Sequence, residues 1–205
     1  MRLDLLFIMK ERRNKLKKKI GITLMTLGIV SIILSVMLLT YNKIEEKKAG
    51  EEANAILALV QDNIKNSKPE YKINKEMTVK KIDGHNYIGY VTIPRINRKL
   101  PIRAEWNFDT LRSAPQRYYG SINTDDLVLA SHSYVYHFGP ISKLQVGDDV
   151  YFTDMDSKVY SYKVSNIETL RATDVDKMID GKSDLTLFTC DYSGTKRVTV
   201  RCDRI

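Results

Sequence analysis

Cysteine is scarce in this chain: two residues in 205, Cys190 and Cys202. Two cysteines are too few for a disulfide framework. A single bridge is not expected either, because the two lie on consecutive predicted strands. In the last of these Val198, Val200 and Cys202 alternate with Thr199 and Arg201, which turns Cys202 to the core. Histidine is equally sparse, at three residues: His85, His132 and His137. The spacing of His132 and His137 suits neither a helix face nor a strand face. No carboxylate cluster accompanies them, so no metal site and no cofactor is expected. No tight acidic cluster calls for calcium. Internal repeats and low-complexity tracts are absent.

A broad basic surface is missing too, although the net charge is +8. Eight of the 33 Lys and Arg residues fall in the first 19 positions, against two of the 25 acids, so the other 186 residues carry 25 basic and 23 acidic side chains. A nearly neutral body gives no phosphate-binding groove, and nucleic acid is excluded as a partner.

What the chain does have is one long apolar run. Residues 20–40, "IGITLMTLGIVSIILSVMLLT", contain no charge. As a helix, 21 residues span roughly 31 Å, about one hydrocarbon core. The run is longer than a signal-peptide core and ends in "LLTYNK", a poor cleavage site. It is therefore read as a retained transmembrane helix. The basic block "KERRNKLKKK" before it stays in the cytoplasm by the positive-inside rule, which sends the C-terminal domain outside. The expected organisation is a cytoplasmic basic segment (1–19), a transmembrane helix (20–40), a stalk helix and linker (41–83), and an extracellular β domain (84–205).

Within the stalk, Ala53, Ile56, Leu57, Val60 and Ile64 recur at helical spacing, which predicts a helix over about 42–65 packed on its own domain or on another stalk. "SKPEYKINKEMTVKKIDGHN" reads as a polar linker, with His85 in a turn ahead of the first strand. From Tyr87 onward at least seven short β-rich runs are broken by turns at "RINR" and "DMDS" and by short helices at "FDTLRSAP", "GPISKL" and "ATDVDKMID". Asp109 is the expected N-cap of the first of these. The pattern predicts an all-β barrel or sandwich.

Cys190, His132 and Arg197 each stand at the end of a predicted strand, where side chains are exposed yet rigidly held. Thiolate is the nucleophilic form of cysteine, and a nearby cation favours it. Imidazole can protonate a leaving amine, and a guanidinium can steady an acyl oxyanion. Tyr118, Tyr119, Tyr134 and Tyr136 either line a peptide groove or pack at sheet edges. Asp191 and Tyr192 shape the turn after Cys190.

"TLFTC" at 186–190, followed by Arg197, resembles the signature of the sortases. "LVLASHSYVYHFGPISKLQVGDDVYF" is similar to the histidine segment of that family, and "IGYVTIPRINRKLPI" to its opening strands. The resemblance covers about 120 residues. It implies a closed sortase-type β-barrel of seven to eight strands with short helices, behind a transmembrane helix and stalk. It makes Cys190 the nucleophile, His132 the general acid/base and Arg197 the substrate and oxyanion stabiliser, with Thr189 at the oxyanion hole or holding substrate. Ser131 stands where the family commonly has glycine, so a site requiring positive φ would be strained. "GHN" at 84–86 is a decoy for the family's glycine-histidine pair.

The implied activity is that of a Gram-positive cell-surface transpeptidase. It would cleave an LPxTG-like sorting signal between Thr and Gly through a thioacyl-enzyme. It would then join the surface protein to an amine of a peptidoglycan precursor such as lipid II, or to a pilin lysine. The short interval from His132 to Cys190 leaves no room for a large helical insertion. The sequence shows no Asp-Pro-aromatic lid and no second transmembrane segment. A class A- or D-like housekeeping enzyme is thus favoured over classes B and C. A catalytically silent surface binding module and a thiol hydrolase are the alternatives. The first has no need of a nucleophile, and the second differs only in using water as acceptor.

Overall fold

A helix satisfies the backbone groups of an apolar run internally, and the apolar run of this chain is helical throughout. The computed structural model describes residues 2–66, 77–191 and 193–205, with side chains in the N-terminal segment from Arg12 on, Asn14 excepted. Helix α1 runs without interruption through Arg2–Asn66. The chain divides into two units, Met1–Glu45 and Glu46–Ile205. In the first, the helix is long and apolar enough to cross a membrane. Its hydroxyls bond back to its own turns: Thr23 donates to the Lys19 carbonyl, Ser31 to Leu27, Ser35 to Ser31 and Thr40 to Val36. The apolar segment therefore presents no unsatisfied hydroxyl donor at those positions.

In the second unit, the later turns of α1 bury Ala49, Ala53, Leu57, Val60 and Ile64. That is the predicted stripe extended by one turn, with Ile56 only partly buried, and it packs on its own domain. Val60 and Ile64 join Ile82, Tyr87 and Met155, while Ala53 joins the main core. Residues 67–76, the first half of the expected linker, lie outside the described residues.

Among the described residues the β domain has nine strands: β1 (Lys80–Ile82), β2 (His85–Ile93), β3 (Arg98–Arg103), β4 (Gln116–Tyr119), β5 (Leu127–Ser131), β6 (Asp149–Asp154), β7 (Val159–Arg171), β8 (Leu185–Cys190) and β9 (Lys196–Arg204). Their order is β1-β2-β3-β4-β5-β8-β9-β7-β6, and β6 pairs back onto β2. Eight strands thus close a barrel, with β1 appended to the first half of β2. Closure leaves those strands without a free edge. Two neighbours are parallel, β3 with β4 and β5 with β8. Strand structure begins at Lys80, ahead of the first strand expected from Tyr87, because a three-residue strand reading Lys-Lys-Ile shows no alternation. His85 opens β2 and is exposed.

Inside the barrel pack Ile88, Val91, Leu129, Phe152, Leu187, Val200 and Cys202. The helical turns form where expected: 3₁₀ turns at Pro94–Ile96, Phe108–Thr110 and Gly139–Lys143, and helix α2 at Val175–Met178. One cap differs. Asn107, not Asp109, caps the turn at Phe108–Thr110, its side chain accepting from the Asp109 amide. Both residue types cap well, and the first one outside the turn holds the position.

Candidate active site

Strand periodicity sorts β5, β8 and β9 into two faces. Leu127, Leu129, Leu185, Leu187, Val200 and Cys202 point into the barrel. Val128, Ala130 and Phe188 point outward, where they cluster with Leu170 and Met178 and are flanked by Tyr118 and Ile179. Because both faces of β5 are covered, all five of its residues are buried, which accounts for the unbroken apolar run "LVLAS".

The register then aligns the chemistry. Ser131 is the partner of Thr189 in the parallel β5–β8 pair, so His132 follows level with Cys190. On the other side of β8, Cys190 is the partner of Arg197. Three strands thereby carry His132, Cys190 and Arg197 in one row on the outer face. All three line a cavity of about 280 Å³. Cys190 is half-buried, whereas Cys202 is fully buried and both are free thiols. Burial pushes the Cys202 thiol far above its ordinary range.

Each member of the row is held by its own neighbours. The His132 ring stacks on Tyr134 with centroids 5.0 Å apart and planes 22° from parallel, and meets the edge of Phe108 at 6.0 Å. Arg197 Nη1 donates to the carbonyls of Gly194 and Lys196, both at 3.0 Å. The turn between β8 and β9 is tied by Asp191, whose carboxylate accepts from Ser193 Oγ at 2.7 Å and from the Lys196 amide at 3.1 Å. The Ser193 hydroxyl and these amides hold the Asp191 carboxyl below its usual range. Tyr192 lies outside the described residues.

Thr189 is not brought to the cavity by its side chain. Its hydroxyl is buried and donates to the Ser131 carbonyl at 2.8 Å. Ser131 is not among the residues with positive φ, so serine sits there in β5 without backbone strain. His137 is fully buried rather than a member of the row. His85 does not line the cavity. Of the four tyrosines considered, Tyr118 lines the cavity, Tyr134 backs His132, Tyr119 is exposed, and Tyr136 lies under the Arg98 guanidinium at 5.8 Å.

Beside strand residues such as Ala130 and Phe188, two connections contribute to the cavity wall. Between β3 and β4 stand Trp106, Phe108 and Leu111; between β7 and β8 stand Ala172, Asp174, Val175 and Met178. Trp106 meets Tyr118 edge-on at 5.0 Å, and Tyr118 meets Phe188 in the same way at 5.1 Å. Arg171 also lines the cavity and bonds Asp174 (Nη2 to Oδ1, 2.8 Å), which holds the Asp174 carboxyl below its usual range. Trp106 and Phe108 were not singled out by sequence; two large aromatics in a polar loop ("EWNFD") outside any core pattern are the signal that could have marked them. Among the described residues no three His, Cys, Asp or Glu side chains gather as metal ligands.

A wall of apolar and aromatic side chains around a row of thiol, imidazole and guanidinium suits a bound peptide attacked at one carbonyl. Comparison with known proteins identifies the family. The family model described as the Sortase domain matches residues 91–205. The chain belongs to the sortase family. Sortase A of Listeria monocytogenes is 43% identical over 56 residues, which is 26% of this chain and 24% of that protein, so the match spans about a quarter of this relative's length. Among solved structures, sortase C1 from Streptococcus agalactiae superposes with a TM-score of 0.52 at 28% identity, over 61% of this chain and 70% of that one. Sortase A of Listeria monocytogenes superposes with a TM-score of 0.52 at 26% identity, over 58% of this chain and 87% of that one. In this sortase, then, the matched region begins in β2 and runs through β9, including the whole row of His132, Cys190 and Arg197.

Proposed function

We propose that this sortase is a single-span membrane enzyme that cleaves an LPxTG-like sorting signal between Thr and Gly and transfers the new acyl end to an amine. The Cys190 thiolate attacks the Thr carbonyl carbon, and the carbonyl electron pair moves onto oxygen. Arg197 donates hydrogen bonds to that oxyanion or to the substrate backbone. Collapse restores the carbonyl and breaks the C–N bond, and the leaving Gly amine takes a proton from the His132 imidazolium. An incoming amine then gives a proton to His132 and attacks the thioester, and the Cys190 thiolate departs. The acceptor is the amine of a peptidoglycan precursor, and the protein is a housekeeping enzyme of class A or D type. The basic N-terminal segment lies on the cytoplasmic side and the barrel outside the cell.

The observation that carries this reading is the in-register row His132, Cys190, Arg197, opening on a peptide-sized apolar cavity in a sortase barrel. Support for the class comes from the connection between β7 and β8, whose only helix among the described residues is the four-residue α2. Thr189 takes a supporting place, fixing the two strand ends rather than touching substrate.

The test uses the full chain in detergent with a panel of fluorogenic LPxTG-like peptides, with and without a glycine-type or a lysine-type amine, beside Cys190→Ala. The expected result is a thioacyl adduct on Cys190 by intact mass and diversion to amine-ligated product. Preference for the lysine amine would make it a pilin-linking enzyme, and product from water alone a hydrolase. No adduct with any peptide would leave a surface binding module as the better account.

A further inference from the structure

Helix α1 reaches the loop that carries His132. At Gly50 a Cβ would sit 2.7 Å from both Cβ and Cγ of Tyr136, so the helix backbone lies directly on that side chain. One turn on, Ala53 is fully buried, and Ala49 is buried beside it. The Ala49 carbonyl faces the His137 ring. That ring is wholly buried, and neither of its nitrogens reaches hydrogen-bond geometry with a partner among the described residues. The Ala49 carbonyl is the backbone group of α1 set against this buried imidazole, so the surroundings of His137 depend on where the helix lies.

The loop itself is stiff. The amides of His137 and Gly139 both donate to the Tyr134 carbonyl at 3.0 Å. Arg98 clamps the Val135 carbonyl through Nη2 at 2.8 Å and Nε at 3.2 Å. Three rings then run in series from the helix to the cavity: His137 lies 5.6 Å from Tyr134, and Tyr134 lies 5.0 Å from His132.

We propose that residues 49–53 of α1 are a structural part of the catalytic centre: docked on the loop, they seat His137, and through Tyr134 they fix the plane of the His132 ring. Tyr134 and His137 are positioning residues, and the helix that leads into the membrane segment holds the general acid/base in place. The proposal rests on the reading of His132 and Cys190 as a working pair. A flat, half-buried ring stacked on an imidazole restricts its rotation about χ2, and a small misplacement of a general acid costs rate out of proportion to its effect on binding.

The test is made on the full chain in detergent with Tyr134→Leu, Tyr134→Phe, Gly50→Ala and Gly50→Val, each checked for retention of the cooperative melt. Two quantities are read: kcat and KM for the cleaved peptide, and the pH profile of Cys190 alkylation by iodoacetamide without peptide. Tyr134→Leu and Gly50→Val should lower kcat about tenfold to a hundredfold while KM moves less than about twofold. Both should shift the alkylation profile. Tyr134→Phe should restore both readouts, and Gly50→Ala should fall between wild type and Gly50→Val. If Gly50→Val does not fold, Gly50→Ala and Tyr134→Leu decide. Unchanged kcat and an unchanged profile in Tyr134→Leu and the Gly50 variants would overturn the proposal. Because alkylation needs no peptide, a chain that cleaves nothing yet shows the shifts would refute the sortase chemistry and leave this coupling standing.

Discussion

The Thr189 hydroxyl donates to the Ser131 carbonyl at 2.8 Å, joining two strands one residue before Cys190 and His132. This buried bond pins the ends of the parallel pair at the level where their side chains must face one another. Thr189→Val keeps the shape and β propensity but removes the donor, so it should cost about 1 kcal/mol of stability. A several-fold loss in kcat should accompany it, about fivefold if a displaced strand end sacrifices a further ~1 kcal/mol at the transition state. Thr189→Ser should retain both, and a Thr189→Val enzyme with wild-type kcat would show that the bond serves the fold alone.

Two free thiols in contrasting settings predict contrasting reactivity. Cys202 is fully buried with its thiol pushed up by burial, whereas Cys190 lines the cavity. Ellman's reagent on the folded chain should therefore count one fast thiol, and two after denaturation. Cys190→Ala should abolish the fast phase and Cys202→Ala should leave it, although the latter removes a core side chain. A fast phase that survives Cys190→Ala would mean that the barrel opens around Cys202.

Much of this was legible because it is periodic or local. Alternation in "RVTVRC" sends Cys202 inward and leaves Arg197 and Arg201 outside, and the stripe from Ala53 to Ile64 marks the face α1 buries. The row at the site was legible only as three strand ends. Its register depends on Ser131 meeting Thr189 across 58 residues, and nothing local records which residue pairs with which. The wall residues Trp106 and Phe108 sit in a loop without period. The stack His132, Tyr134, His137 depends on an irregular loop and on a helix some eighty residues earlier in the chain. Arg197 and Arg201 look alike as alternating strand residues, yet one lines the cavity and the other is a buried clasp.

That clasp predicts a binding phenotype. Arg201 donates to Glu168 Oε1 at 2.9 Å, to Thr186 Oγ1 at 3.1 Å and to the Met178 carbonyl at 3.1 Å, and also to the Lys177 carbonyl. It therefore ties α2 to the barrel wall beneath Val175 and Met178, two residues of the cavity. Arg201→Met should lose about 2 kcal/mol of stability, since bonds from a charged donor exceed neutral ones. It should raise KM for the sorting peptide more than it lowers kcat. Arg201→Lys should not restore KM, because one ammonium cannot reproduce a planar fork shared among four acceptors. An unchanged KM would place substrate elsewhere than against α2.

The buried His137 gives the domain an acid limit. Burial, opposed by the Ala49 carbonyl and reinforced by the neighbouring His132 and Arg98, lowers its pKa from 6.5 to about 4. Above pH 6.5 the ring is neutral in folded and unfolded chains alike, and it contributes no pH dependence. As pH falls from 6.5 toward 4, the unfolded chain takes up a proton that the folded chain refuses, so stability declines. Each pH unit in that window costs ~1.4 kcal/mol, so the loss approaches about 3 kcal/mol at pH 4 and levels off below it. His137→Phe keeps a ring against Tyr134 and removes the titration. Melting of the full chain in detergent at pH 7 and pH 5 should show a steeper fall in wild type than in His137→Phe. Equal slopes would mean that His137 becomes charged in the folded protein, and so that the docked helix admits water to it.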